Sequence, residues 1–226
     1  MKIALLGYGK MGRYIEQLAT QAGHQVVLRV DEHNRDRTGV SDLEAADVAI
    51  EFSRPDAAVN NIELALAAGV PIVVGTTGWL DALPAVRLRV EQAGGALFYA
   101  SNFSIGVNLF FSAARDLARK LAHEGYTARI EETHHTEKLD APSGTALTLQ
   151  QKIGGAFPKA AIPIESFREP DVPGTHRLIF QSAVDTIELT HTARSREGFA
   201  RGALAAAAWL VGKQGTFTMS DLLQSE

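Results

Sequence analysis

The chain has 226 residues, 46% of them hydrophobic and 21% charged, which is an ordinary soluble globular composition with room for one large domain or two small ones. Its 22 basic and 26 acidic residues leave a formal charge of −4, against a general nucleic-acid or membrane-surface binder. With no cysteine there is neither a disulfide nor a thiolate metal site, and no segment has the apolar length of a bilayer-spanning helix.

The first apolar run, Lys2 to Leu6, stops at Gly7 and reads as a buried strand rather than a signal peptide. Met11, Ile15, Leu18, Ala19 and Ala22 then recur at helical spacing until Gly23. Val26 to Val30 is a second strand, closed by Asp31, and Asp47 to Phe52 a third. A helix follows from Ala57 to Ala68, then strands at Val70 to Val74 and Leu97 to Ala100, with a helix between Ala82 and Gln92. Strands alternating with helices imply right-handed crossovers and a parallel, doubly wound sheet. After Asn102 the rhythm changes. Ile105 to Ala122 is a long helix, Thr127 to Thr133 alternates as a strand, and Leu147 to Ile153 is a short helix. Pro158, Pro163, Pro170 and Pro173 mark a loop with at most brief strands. His176 to Ser182 and Thr186 to Thr192 are β segments able to join Thr127 to Thr133, and Phe199 to Val211 is an alanine-rich helix. The expected architecture is α/β: a Rossmann-like nucleotide domain (residues 1–102 and 196–226) with a second α+β domain (residues 103–195) for substrate binding and oligomerisation.

Gly7, Gly9 and Gly12 follow a strand and open a helix, the spacing at which a backbone turns tightly, admits a pyrophosphate and lets helix and sheet approach. Free N–H groups at the helix start then meet phosphate charge. Asp31, at the end of the next strand, stands where a carboxylate accepts hydrogen bonds from the adenosine ribose and repels a ribose phosphate, which favours NAD; Arg29, Arg35 or Arg37 would offset that repulsion. Gly75-Thr76-Thr77-Gly78 and Phe52-Ser53 end other strands on the ligand-binding edge. Glu132, His134, His135, Lys138 and Asp140 crowd together ahead of Pro142-Ser143-Gly144-Thr145. Histidine donates a proton near neutral pH, lysine holds a carboxylate or stabilises developing negative charge, and the Ser143-Gly144-Thr145 helix start suits an anion. Two histidines and a carboxylate also raise a metal alternative, but the spacing fits no standard zinc motif, so the metal-free oxyanion reading is preferred.

On these residues the chain resembles the bacterial 4-hydroxy-tetrahydrodipicolinate (dihydrodipicolinate) reductases over nearly its whole length. The most specific element is the run from Glu132 to Ala146, with paired histidines, a lysine and Asp140-Ala141-Pro142-Ser143-Gly144-Thr145. The opening glycines, the Gly75 to Gly78 turn, Asn102 to Asn108, His191, Ser195-Arg196, Phe199-Ala200, Gly202-Ala203 and Trp209-Leu210 follow in the family's order. The resemblance implies reduction of (2S,4S)-4-hydroxy-2,3,4,5-tetrahydrodipicolinate, a cyclic imine dicarboxylate, by NADH or NADPH in the diaminopimelate route to lysine, by a cytoplasmic homotetramer that needs no metal. It assigns catalysis to His134 and Lys138 and substrate binding to His135, Ser143, Gly144 and Thr145. Cofactor contacts fall to Gly7, Tyr8, Gly9, Lys10, Met11, Gly12, Asp31, Phe52, Ser53, Gly75, Thr76, Thr77, Ser101, Asn102 and Phe103. The chain departs from many relatives at Arg168-Glu169-Pro170, where they carry Arg-x-Gly, and at Asp31-Glu32, where some dual-cofactor members follow the acid with arginine. A dehydrogenase of another dicarboxylate or amino acid, and a non-catalytic NAD-binding regulator, are the competing readings.

Overall fold

The computed structural model describes residues 1–158 and 162–224; part of the proline-marked stretch and the last two residues assigned to the nucleotide domain lie outside them. The chain divides into two compact units, Met1–Ser104 with Phe199–Glu226, and Ile105–Gly198.

The first unit is built on a six-stranded, wholly parallel sheet. Its strands are β1 (Lys2–Leu6), β2 (Gln25–Val30), β3 (Val48–Glu51), β4 (Ile72–Val74), β5 (Ala96–Tyr99) and β10 (Gly215–Phe217), in the order β10-β5-β4-β3-β1-β2. Every residue of β3 and β4 is buried because helices cover both faces of the sheet. Ile3, Leu5, Ile50, Val73 and Phe98 pack on α1 (Lys10–Gln21) and α7 (Glu197–Leu210). The alternate residues Ala4, Leu6, Ala49, Ile72 and Leu97 pack on α3 (Pro55–Ala67) and α4 (Leu83–Ala93). Strand order reverses at β1, with β2 on one side and β3 on the other, so the glycine turn after β1 opens at the switch point where such sheets bind ligands. The chain's return to this sheet extends beyond the expected helix: β10 adds an edge strand and α8 (Met219–Gln224) follows it. A short helix α2 (Val40–Leu43) and the 3-10 turns Arg35–Arg37 and Leu80–Ala82 lie in stretches too brief for a periodic signal.

The second unit has a four-stranded sheet in the order β7-β6-β8-β9, formed by β6 (Thr127–His134), β7 (Ile164–Arg168), β8 (Gly174–Gln181) and β9 (Thr186–Ala193). One face packs on α5 (Ile105–Leu121) and α6 (Gly144–Ile153) through Phe110, Phe111, Ile130, Leu149, Leu178 and Phe180. β7 is a five-residue strand inside the proline-rich stretch expected to be a loop with at most brief strands. The prolines flank it: the Pro163 carbonyl accepts from the Ile130 N–H at 2.9 Å, and β7 needs a ladder on one side only because it is an edge strand. Among the described residues, no helix is long and apolar enough to cross a membrane.

Candidate active site

Alternation along β6 buries Ala128, Ile130, Glu132 and His134 on one face, so the apolar face turns polar in its last two inward positions. Ladder register places His176 of β8 directly opposite Glu132, and His176 is buried as well. A carboxylate without water is costly unless its lone pairs are filled, and Glu132 is supplied by three donors. Its Oε1 accepts the Ser143 N–H at 2.9 Å and the Ser166 hydroxyl at 2.7 Å, and its Oε2 accepts the Ser143 hydroxyl. Burial pushes the Glu132 carboxyl upward, but bonding from His176, Ser143 and Ser166 reverses this and holds it well below the usual carboxylate range. His134 Nδ1 and His176 Nε2 lie 3.7 and 3.6 Å from Oε2, with the two rings edge-on at 5.1 Å between centroids. Burial, then the neighbouring His176, lowers the His134 pKa to about 4; Glu132 opposes this, while Lys138 and Arg168 add to it. A side chain at Gly174 would come within 3.1 Å of His134 Nε2, so the ring rests against bare backbone.

Beyond β6 the chain leaves the sheet. His135 is half-buried, and its carbonyl accepts the Lys138 N–H at 3.1 Å. The Lys138 ammonium donates to both oxygens of Asp140, at 2.7 and 2.9 Å, which lowers the Asp140 pKa. Arg168 braces this loop by donating to the carbonyls of Lys138 (3.2 Å) and Asp140 (2.7 Å). Ser143 caps α6, its Oγ accepting from the Ala146 N–H at 3.2 Å. Both polar hydrogens of Ser143 are engaged by Glu132, whereas Gly144 is exposed and Thr145 half-buried at the helix start. The sequence motif therefore becomes one constellation: His134, Lys138 and the α6 N-terminus, with Glu132 behind them.

His176 and Ser166 escape a sequence reading because strand register, not sequence distance, brings them to Glu132. The alternation of Glu132 and His134 on an otherwise apolar strand face is the signal that marks the buried end. Donor atoms of Glu132, His134 and His176 fall within 4.8 Å of one another, a spacing that also suits a metal ion. Both Glu132 oxygens already serve hydrogen-bond donors, however, which argues for a filled polar network rather than a waiting ligand set.

In the first unit, a cleft of about 530 Å³ opens at the glycine turn, lined by Gly7, Tyr8, Gly9, Lys10, Asp31, Phe52 and Ser53 among the anticipated residues. Arg13, His33, Arg35, Arg54 and Asn61 also line it. Gly9 precedes α1 without a side-chain cap, and a Cβ there would meet nothing within 4 Å, so N–H groups and open space coincide as a phosphate requires. The Asp31 carboxylate accepts the His33 N–H at 2.8 Å. The other anticipated residues are placed differently. Gly12 lets α1 approach the Gly7 carbonyl, Met11 packs on the core, and Gly75 makes room for the Phe52 ring, which packs tilted against Phe103 with 5.7 Å between centroids. Thr76 ties two strand ends together, its Oγ accepting from the Ser53 N–H at 2.8 Å and its carbonyl from the Trp79 indole. Thr77 and Ser101 are exposed, and the Asn102 side chain accepts the Ser104 N–H at 2.9 Å. Beneath the cleft, burial raises the pKa of Glu51 despite hydrogen bonds from Ser53 and Asn61.

Comparison with known proteins gives a consistent result. The family model described as "Dihydrodipicolinate reductase, N-terminus" matches residues 1–103, and "Dihydrodipicolinate reductase, C-terminus" matches residues 106–223. A 4-hydroxy-tetrahydrodipicolinate reductase of Christiangramia forsetii is 46% identical, across 99% of this chain and 98% of its own. One from Neisseria gonorrhoeae is 34% identical, across 99% and 97%. Among solved structures, a dipicolinate-bound dihydrodipicolinate reductase from Paenisporosarcina superposes with a TM-score of 0.84, covering 96% of this chain and 97% of that one at 22% identity, a likeness of fold.

Proposed function

Since the chain belongs to the dihydrodipicolinate reductase family, a family of NAD(P)-dependent oxidoreductases, we propose that it reduces (2S,4S)-4-hydroxy-2,3,4,5-tetrahydrodipicolinate to tetrahydrodipicolinate, with release of water, in the diaminopimelate route to lysine. NADH or NADPH is the reductant, no metal is needed, and the working protein is a cytoplasmic homotetramer assembled through the second unit's sheet. The observation that carries this reading is a buried histidine set between a carboxylate and a cationic, N–H-rich rim.

A bound dinucleotide would supply the hydride for C4 of the conjugated ring left after water loss, and the negative charge on that ring would call for a proton at C3. His134 delivers it. The protein's own groups hold the His134 pKa at about 4, so the imidazole is neutral at pH 7. Two substrate carboxylates oppose Lys138 and Arg168 and draw a proton onto the ring, so the acid is charged when substrate arrives. Lys138 exchanges Asp140 for a substrate carboxylate and, with His135, stabilises the developing charge. Gly144 and Thr145 offer the α6 N-terminus to the other carboxylate, on a turn whose geometry Ser143 sets through its bonds to Glu132. In the first unit, Gly7, Tyr8, Gly9, Lys10, Asp31, Phe52 and Ser53, which line the cleft, would hold the dinucleotide directly. Gly12, Met11, Gly75, Thr76, Thr77, Ser101, Asn102 and Phe103 shape its surroundings.

The test is kinetic. His134→Gln should leave substrate binding largely intact and slow turnover by roughly 10²- to 10⁴-fold, the usual worth of a general acid. Lys138→Ala should raise KM and lower kcat together. Comparable, near-wild-type activity in both variants would defeat these roles.

A further inference from the structure

One register row of the second sheet is polar from edge to edge. Ser166, Glu132, His176 and His191 are successive cross-strand partners on β7, β6, β8 and β9. The row two residues further into the sheet is Ile164, Ile130, Leu178 and Leu189. A hydrophobic row at the first position would be cheaper to bury, and a salt bridge replaced by apolar groups often costs a fold nothing. The placement of the row explains its retention. Its only acid, Glu132, is 1% exposed and lies between two things that the reaction needs held: the His134 ring, at 3.7 Å, and the Ser143 end of α6, through an N–H and a hydroxyl. His176 completes the clamp, its Nε2 3.6 Å from the Glu132 carboxylate and 3.2 Å from Ser143 Oγ.

We propose that Glu132 and His176 are positioning residues for the reaction: Glu132 supplies the negative charge that lets His134 carry its proton, and His176 fixes that carboxylate and the α6 N-terminus in one geometry. This rests on the reading of His134 as proton donor. Among the described residues, the groups facing His134 are Glu132 on its own strand, His176 on β8, Arg168 on β7 and Lys138 in the following loop, the last paired with Asp140. Of the four, Glu132 alone favours the charged ring; the other three oppose it. Among the described residues, a neutral isostere at 132 therefore removes the one facing group that favours the imidazolium, and the proton is lost at a lower pH. A carboxylate that served packing alone would, on neutralisation, change the amount of folded protein and not the pH at which the folded enzyme works.

The experiment uses the full-length enzyme with freshly generated substrate and NADH, and records kcat against pH for wild type and Glu132→Gln, with thermal melting to establish folding. A general acid must be protonated to act, so kcat falls on the alkaline side. In Glu132→Gln that limb should move to lower pH by about one to three pH units. Turnover at neutral pH should drop at least tenfold, with KM changed less. An unmoved limb in a folded variant overturns the inference. If Glu132→Gln does not fold, His176→Gln and His176→Leu decide: glutamine keeps a donor near Nε2 and should retain most of kcat, leucine should lose tenfold or more, and equal rates overturn the clamp. Absence of turnover in wild type would instead defeat the substrate assignment itself.

Discussion

Two glycines of one turn should answer an alanine substitution in opposite ways. At Gly12 an added Cβ would stand 2.3 Å from the Gly7 carbonyl oxygen, an approach that real Cβ atoms do not make, so α1 must lift off the turn. Alanine gains about 1 kcal/mol of helix propensity over glycine, and forced repacking costs about 1–3 kcal/mol or more. The net effect is a destabilised fold, with a fall in Tm of several degrees at about 2–4 °C per kcal/mol for a chain of this size. At Gly9 the same atom meets nothing within 4 Å, and the backbone there (φ −87°, ψ −150°) is open to alanine. The loss is confined to the helix cap, at most about 1 kcal/mol. In the function proposed above, the pyrophosphate passes through that empty space. A methyl group in it should cost about 2 kcal/mol of binding, roughly thirtyfold in Kd. Calorimetric titration with NADH, paired with thermal melts, separates the two: Gly9→Ala should keep its fold and lose cofactor, whereas Gly12→Ala should lose stability first. Wild-type NADH affinity in a well-folded Gly9→Ala protein would refute the placement of the phosphates at this turn.

Two further outcomes follow from charges already described. Asp31 and Glu32 both line the cleft, as does Arg35, which pairs with Asp36 at 3.4 Å; removing the Asp31 charge should therefore, in Asp31→Asn, tighten NADPH binding by about tenfold, an effect of about 1.4 kcal/mol, and weaken NADH. Equal changes for both cofactors in parallel titrations would remove Asp31 from the ribose site. Acid should also destabilise the protein in a defined window. The folded His134 pKa of about 4 lies below its ordinary 6.5, so the unfolded chain takes up that proton first and stability falls from about pH 6.5 down to about 4. The ceiling of this contribution is about 3 kcal/mol. Glu132, lowered in the fold, adds a loss that begins as pH drops through its unfolded value near 4.5; Glu51, raised in the fold, works the other way. Melting curves should show Tm declining between pH 6.5 and 4, and a shallower decline in His134→Gln. Identical slopes would mean that His134 does not take up its proton later in the fold than in the unfolded chain.

What the sequence reveals depends on how locally each feature is encoded. The strand, glycine turn and helix from Lys2 to Gln21 are written in consecutive residues, as is the alternation that puts Glu132 and His134 on one face. β7 is obscured because Pro163 and Pro170 flank it, and proline within a few residues argues against a strand unless the strand is at an edge. β10 is three residues long between Gly212 and Met219, too short to show alternation, and exists through its pairing with β5. The same division runs through the sites. His134, Lys138 and the Ser143-Gly144-Thr145 helix start lie in one short stretch of sequence, from the end of β6 to the start of α6, and are legible together. His176 and Ser166 reach Glu132 only through the register of β8 and β7, which no spacing in the sequence records. Within the opening glycine motif, open space lies beside an added Cβ at Gly9 and backbone beside one at Gly12, a difference that their spacing in the sequence does not record.

The most direct measurement is isotopic. The protein should be given freshly generated (2S,4S)-4-hydroxy-2,3,4,5-tetrahydrodipicolinate with NADH carrying deuterium at the transferable position of the nicotinamide, and the product read by mass spectrometry and NMR. The account predicts tetrahydrodipicolinate that has lost water and gained one deuterium at C4, formed in proportion to the NADH consumed and abolished or severely slowed in His134→Gln. Oxidation of NADH without that labelled product, or deuterium at any other ring carbon, would contradict it.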